Sequence, residues 1–556
     1  MTATRNPPQA SRGILFACKP AYLVVLGFII VAVAINIVVY KISETDMKVT
    51  VKYKTCKHDN GLEVQSSIGR MLDDVLSDAF NMHNKEDQMQ YFSKGKLTSM
   101  GMTSPRKSRF WLVSNADEVV HVVIEAYDSK GIKRQVGGDF FFAVMFNQAK
   151  ASTAGRIIDY QNGTYSVYFY EAWKGEAMID ITLVHTREAV TWLKTFYLPQ
   201  EQCINWFGTF KDDTSKEITS CYISSKIIWE NKCEFSNSNL GESVFLCEKP
   251  KNLSCETLEL IKYNRDSLGY YANLSISQYN TKYLFESPYL MTKLASSPLK
   301  AIIKGDTNSL IENLPPCNAE FPVSISDGFW INGSIWQSLV CKSRHFTMEE
   351  ALDCLRGKDV YFFGDSTLRL WHDSFINVGD MNMTVSRDGA HRLLTSHDYN
   401  LTILFQFHAI RIGSSNGDFK NQRFESGVID SLRSCYVVVV LSLTYHFGPW
   451  TTKSFTERLL HTRNAVERLL SRCPGTIVVI KSSHPRDHNS REGYVHSSDW
   501  TLFEMNSITR KLFTGIGVRF LDVYDMSLSH YTNNHVHMQA IVPQQVDLFL
   551  SYVCPY

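Results

Sequence analysis

The chain has 556 residues, more than one hydrophobic core accommodates, and at about 100–200 residues per domain it divides into two or three folded units. Against 57 Lys and Arg stand 56 Asp and Glu, so the net charge is +1 and no bulk field draws the chain to nucleic acid or an anionic surface. The 13 cysteines include no C-x-x-C pair, which disfavours a metal site.

Residues 1–19 hold Arg5, Arg12 and Lys19 and no acid. Residues 20–40 then run without a charge, reading AYLVVLGFIIVAVAINIVVY from Ala21. As a helix, such a run crosses the roughly 30 Å of bilayer hydrocarbon. A cleaved signal has an apolar stretch of only about 7–15 residues, so the segment reads as a transmembrane signal anchor. The basic residues before it, with Glu44 and Asp46 soon after Lys41, leave residues 1–19 as a cytosolic tail and all that follows as luminal or extracellular, a type II topology. Asn162, Asn252, Asn273, Asn332, Asn382 and Asn400 each open an N-x-Ser/Thr glycosylation acceptor, all beyond the anchor. Setting aside Cys18 on the cytosolic side leaves an even number of cysteines that an oxidising lumen can pair, with a connectivity that spacing does not decide.

Residues 41–105 show no sustained period and read as a stem with a short helix near Gly69 to Phe80. From Phe110 onward come runs rich in aromatic and β-branched residues, broken by Gly, Asn and Asp, which predict an antiparallel sandwich over 106–300. Within it, 159–169 and 175–181 resemble the paired strands that end a filamin-type immunoglobulin repeat. The cysteine-bearing stretch from Ala189 to Pro316 reads as a disulfide-tied extension of that sandwich, passing into a linker. After Cys317 the pattern alternates. Apolar runs at Asp359–Gly364, Tyr436–Leu443, 476–481 and 518–525 predict strands, and 367–375, 454–472, 499–513 and 545–554 predict helices. Strands alternating with helices imply right-handed βαβ units, a doubly wound parallel sheet over 317–556, and a ligand crevice at the carboxyl ends of the strands.

Ser366, in Gly364-Asp365-Ser366-Thr367, stands where the first of these strands ends and a helix begins. A hydroxyl there meets the helix dipole and backbone N–H groups able to stabilise an oxyanion. The plainer reading is a turn and N-cap. A nucleophilic serine needs a base and the base needs an orienting group. His537, past the last strand, is the candidate base, with Asn534, Asp525 or Asp522 to orient it. The alternatives are surface histidines in a polar loop, or a His535/His537 metal pair with Asp525.

The segments Gly328-Phe-Trp330, Trp336, Cys341 and Ala351 to Trp371, with Leu441-Ser-Leu-Thr-Tyr-His446-Phe, Leu521-Asp-Val-Tyr-Asp525-Met and the ending Val546 to Cys554, resemble the PC-esterase domain of the neurexophilin and PC-esterase domain (NXPE) family. The β-rich segment before them is similar to that family's neurexophilin-like region. The resemblance implies an SGNH-like α/β three-layer domain behind an immunoglobulin-type β domain. It also implies a Ser-His site that transfers or removes acyl groups on glycans, typically acetyl, with sialic acid a candidate acceptor. Ser366 matches the nucleophile position and His537 the C-terminal histidine, while Gly364, Asp365, Thr367, Thr444 and His446 fall around the pocket. No bound cofactor is implied, only an acyl donor such as acetyl-CoA for a transferase. The partners implied are a glycan or glycoprotein substrate, the membrane, and a receptor for the neurexophilin-like domain. The expected location is the secretory pathway, the Golgi first, with a cell-surface or shed form as alternatives. Five positions depart from the pattern: Asn534 replaces an Asp three residues before His537, Thr444 and Ala409 replace glycines, and Met538-Gln539 replace prolines. Asn534 can orient an imidazole but cannot offset its charge. The second class of reading is therefore a catalytically degenerate binding or adhesion glycoprotein.

Overall fold

The computed structural model describes residues 101–555, apart from 117, 200–203, 225–228, 279–280, 306–307, 319, 377, 387–388, 413–418 and 420–421. The expected cytosolic tail, the anchor over 20–40 and most of the stem lie outside the described residues, as do Cys18, Cys56 and Cys203. Among the described residues no helix is long and apolar enough to cross a membrane.

The C-terminal half is built on a seven-stranded sheet: β1 (Asp359–Gly364), β2 (Asn382–Val385), β3 (His391–Ser396), β4 (Leu401–Phe407), β5 (Val437–Ser442), β6 (Ile477–Lys481) and β7 (Arg519–Leu521), in the order β2-β3-β4-β1-β5-β6-β7. The five strands from β4 to β7 run parallel, and β2 and β3 add an antiparallel edge. All six residues of β5 are buried, as a strand covered on both faces requires, and its β-branched Val437 to Val440 suit that position. Alternating side chains feed two cores. Val360, Phe362, Val440 and Val479 point to α1 (Met348–Leu355), α2 (Ser366–Asp373) and α6 (Val542–Val553). Phe363, Val439, Leu441 and Ile480 point to α3 (Glu425–Ser431), α4 (Thr452–Arg472) and α5 (Asp499–Phe513).

Two antiparallel sheets precede it and close on a common core. One orders Arg109–Ala116, Val119–Glu125, Thr164–Tyr170 and Arg156–Asp159. The other orders Leu290–Lys293, Gly175–His185, Phe140–Phe146, Ser152–Ala154, Gly328–Trp330 and Trp336–Ser338, with Leu299–Ile303 also paired to Gly175–His185. Val122, Ile124, Val167 and Phe169 of the first meet Phe141, Met145, Ile179 and Ile181 of the second.

Three boundaries differ from the sequence expectation. Residues 204–263 are neither an extension of those sheets nor a linker. They form a separate five-stranded antiparallel sheet, tied by Cys221–Cys247 and Cys233–Cys255, and Trp206 and Phe245 pack into the same core as Phe363 and Val439. Gly328–Trp330 and Trp336–Ser338, expected with the parallel sheet, extend the N-terminal one instead. Met102 and Thr103, expected in the stem, are fully buried, and Thr103 donates to the Asp139 carboxylate at 2.7 Å. Further bonds join Cys317–Cys341, Cys354–Cys554 and Cys435–Cys473.

The N-terminal sheets and the parallel sheet are locked by buried charge. Arg156 Nη2 lies 3.1 Å from Asp525 Oδ2 and 3.8 Å from Asp327 Oδ1, and its Nε donates to the Ser324 carbonyl at 3.0 Å. Burial pushes both carboxyls above their usual range, and Arg156 opposes that shift. Removing the cation strands two buried acids. Replacing Arg156 by Met is expected to cost about 3–5 kcal/mol, read as denaturant unfolding of the purified protein; an unchanged midpoint would show the lock to be dispensable.

Candidate active site

Ser366 sits where β1 meets α2, because two features force a sharp turn there. Gly364 packs so closely on β5 that a Cβ would come within 2.6 Å of the Ser442 carbonyl. Asp365 is the N-cap of α2, its Oδ1 accepting from Thr367 N and Thr367 Oγ1, both at 2.7 Å. The N-cap is thus Asp365, and Ser366 follows it as the first residue of the helix. Trp371 Nε1 donates to Gln545 Oε1 at 2.8 Å and fixes the helix to α6.

His537 arrives from 171 residues away, and its Nε2 lies 2.7 Å from Ser366 Oγ. Its loop has no regular structure of its own and is seated on the N-terminal sheet. Ser152 Oγ donates to the Ser529 carbonyl at 2.6 Å, Trp330 Nε1 donates to the Met526 carbonyl at 2.9 Å, and His530 Nε2 donates to the Gly333 carbonyl at 3.1 Å. Tyr531 lies under Lys150, whose Nζ is 4.2 Å from the ring centre. Beyond His537 the buried Met538 and Ile541 enter the core and hold the far end.

None of the three proposed orienters reaches the imidazole by a hydrogen bond. The last strand stops at Leu521, and Asp525 stands on the short helix Tyr524–Leu528, engaged by Arg156 and by Asp327 N at 3.0 Å. Asp522 accepts from Ser482 Oγ at 2.7 Å and from Tyr524 N at 2.9 Å, which starts that helix. Asn534 lends its carbonyl to Asp487 N at 2.7 Å, while its Oδ1 is buried and unbonded. Among the described residues nothing hydrogen-bonds His537 Nδ1, and no cluster of His, Cys, Asp or Glu is arranged to hold a metal. Burial, together with the Arg369 and Arg486 guanidinium groups, holds the His537 imidazole below its ordinary pKa, and Asp365 acts in the opposite sense.

Of the expected pocket residues, Thr367 spends both its N–H and its hydroxyl inside the turn, so neither is free for an oxyanion. Thr444 is buried at the end of β5. His446 Nδ1 lies 2.7 Å from His408 Nε2, and His408 Nδ1 lies 3.0 Å from the Ala409 carbonyl. A carbonyl only accepts, so His408 carries its proton on Nδ1 and accepts from His446, which leaves His446 Nε2 as an acceptor. Burial lowers the His446 pKa to about 4, keeping it neutral. The side chains of all six glycosylation-acceptor asparagines are exposed.

Residues 336–554 match the family model described as NXPE family member 4-like, C-terminal domain, and residues 102–287 match the neurexophilin model. The two matches follow one another and together cover more than half the chain. The chain belongs to the NXPE family. The Ser366 turn, His446 and His537 all fall inside the first match, whereas Ser152 and Lys150, which seat the His537 loop, fall inside the second.

Two features of this NXPE site went unread in the sequence. Lys481 ends β6 with its side chain 1% exposed, donating to Thr367 Oγ1 at 3.0 Å, and burial lowers its pKa to about 8. Its signal was a lysine closing an otherwise apolar run. Arg486, which acts on His446, His484 and His537, sits in a polar loop and left no such signal.

A serine activated by His537 requires a neutral imidazole, and a depressed histidine pKa keeps it neutral down to lower pH. Labelling of Ser366 by a fluorophosphonate is therefore expected to show an acid limb whose midpoint lies below the roughly 6.5 of an ordinary histidine. A midpoint at or above that value would contradict the assignment.

Proposed function

We propose that this NXPE-family chain is a type II membrane glycoprotein of the secretory pathway, Golgi-located in the first instance, whose C-terminal domain is a serine-dependent acyltransferase or esterase. In this reading it acts on O-acyl groups, acetyl foremost, of glycans, with sialic acid a candidate acceptor. The domain is an SGNH-like α/β unit of the PC-esterase type behind an immunoglobulin-type β domain. The observation that supports the reading is the 2.7 Å approach of His537 Nε2 to Ser366 Oγ across 171 residues. Among the described residues, five disulfides and six exposed acceptor asparagines fit a luminal domain.

The chemistry is a covalent seryl ester formed and resolved by one imidazole. His537 Nε2 takes the Ser366 proton as Oγ bonds to the acyl carbonyl carbon. The donor's C–S or C–O bond breaks, and His537 returns the proton to the leaving group. A sugar hydroxyl or water then attacks the ester, His537 takes its proton, and Ser366 Oγ recovers it. The donor, acetyl-CoA or an acylated glycan, is a substrate and not a resident group. Ser366 is half-buried and His537 exposed, so the pair is open to solvent, as access by a bulky glycan requires.

The second reading, a binding or adhesion glycoprotein with a degenerate site, draws on the unbonded His537 Nδ1 and on Asn534 and Ala409 in place of Asp and Gly. Cells expressing the chain are expected to change the O-acetyl content of their surface and secreted glycans, and Ser366→Ala and His537→Ala each to abolish the change at equal expression. Mass spectrometry of released glycans reads the outcome; identical acetylation with wild type and both variants favours the binding reading.

A further inference from the structure

His537 lacks a contacting acid, yet an imidazole that takes up a proton beside a developing oxyanion is stabilised by nearby negative charge. The carboxylate that the fold supplies is Asp365. It precedes Ser366 in the chain, is only 1% exposed, and uses a single oxygen, Oδ1, for the N-cap. Oδ2 is buried and has no hydrogen-bond partner. A buried carboxylate stays charged only beside a cation, and Lys481, equally buried, lies one hydroxyl away through Thr367. Asp522, the other acid near Lys481, is already held by Ser482 and Tyr524.

We infer that Asp365 supplies to His537, through space rather than through a hydrogen bond, the negative charge that a third member of a Ser-His site would supply by contact. This rests on the Ser366–His537 reading above and makes Asp365 a positioning residue. The charged and titratable groups around the imidazole are Arg369 from α2, Arg486 and His484 from the loop after β6, His446 from the loop after β5, and Asp365 itself. Among the described residues Asp365 is the carboxylate that acts on the His537 imidazole, whereas Asp487, held to the Asn534 carbonyl on the same loop, acts on His535. Asp365 acts in the same sense on His446.

The rate of Ser366 labelling by a fluorophosphonate, followed against pH on the full-length detergent-solubilised protein, tests this. Asp365→Asn keeps the acceptor oxygen and removes the charge, so labelling is expected to slow about tenfold and its acid limb to move to lower pH. Asp365→Ser, which also caps a helix, is expected to do the same and guards against a folding defect in the first variant. Asn534→Ala is expected to leave the rate within about twofold and the limb in place. If Asn534→Ala slows labelling and both Asp365 variants behave as wild type, the inference is overturned while the Ser-His reading stands. Labelling that persists in Ser366→Ala sinks the Ser-His reading and the inference with it.

Discussion

The site depends on the seating of a loop that has no secondary structure to hold it. His537 follows a strand of only three residues, Arg519–Leu521, and the short helix Tyr524–Leu528. Backbone hydrogen bonds of the parallel sheet therefore end well before the base. Position is supplied from outside, by Ser152, Trp330 and the Gly333 carbonyl of the N-terminal sheet on one side, and by Met538 and Ile541 in the core on the other. Ser366 needs no such help, because Gly364 and the Asp365 cap define its turn from within five residues of chain. Ser366 is thus placed mainly by its own turn and His537 by tertiary contact.

Buried charge follows one rule across the molecule. Arg458 lies against Glu425 at 2.9 Å with both side chains 1% exposed, Arg156 lies against Asp525, and Lys481 approaches Asp365 through a hydroxyl. In a low-dielectric interior each charge needs its partner, since an unpaired one costs several kcal/mol. The first two pairs are direct and structural. In the third the cation reaches Thr367 Oγ1 and leaves Oδ2 of Asp365 unbonded, so that the carboxylate field is only partly spent. That incomplete pairing separates the pair beside Ser366 from the other two.

Much of the parallel sheet was legible because local chemistry carried it. Val437 to Val440 had nowhere to be but a doubly covered strand, and Asp499–Phe513 begins and ends where the pattern predicts. Ser366 and His537 were readable as a strand-end hydroxyl and a late histidine, and the fold brings them into contact. The orienting group was not readable. Whether Asp525 serves His537 or Arg156 is decided by a residue 369 positions away, and a long-range ion pair leaves no periodicity behind. The strands Gly328–Trp330 and Trp336–Ser338 failed for a like reason: three-residue strands have too little period to declare which sheet they join.

The two family matches meet around the Ser366–His537 contact, and the contacts across them are of the kind that fixes geometry. The hydrogen bond from the buried Ser152 Oγ to the Ser529 carbonyl is directional, and the charge lock between Arg156 and Asp525 resists sliding as well as separation. A neurexophilin-like region used only to bind a partner would need no contact with the loop of residues 529–541. Here it supplies the seat of that loop. The region therefore contributes to the geometry between Ser366 and His537, and any partner that strained the sheet bearing Ser152 would act on His537 through the same few bonds.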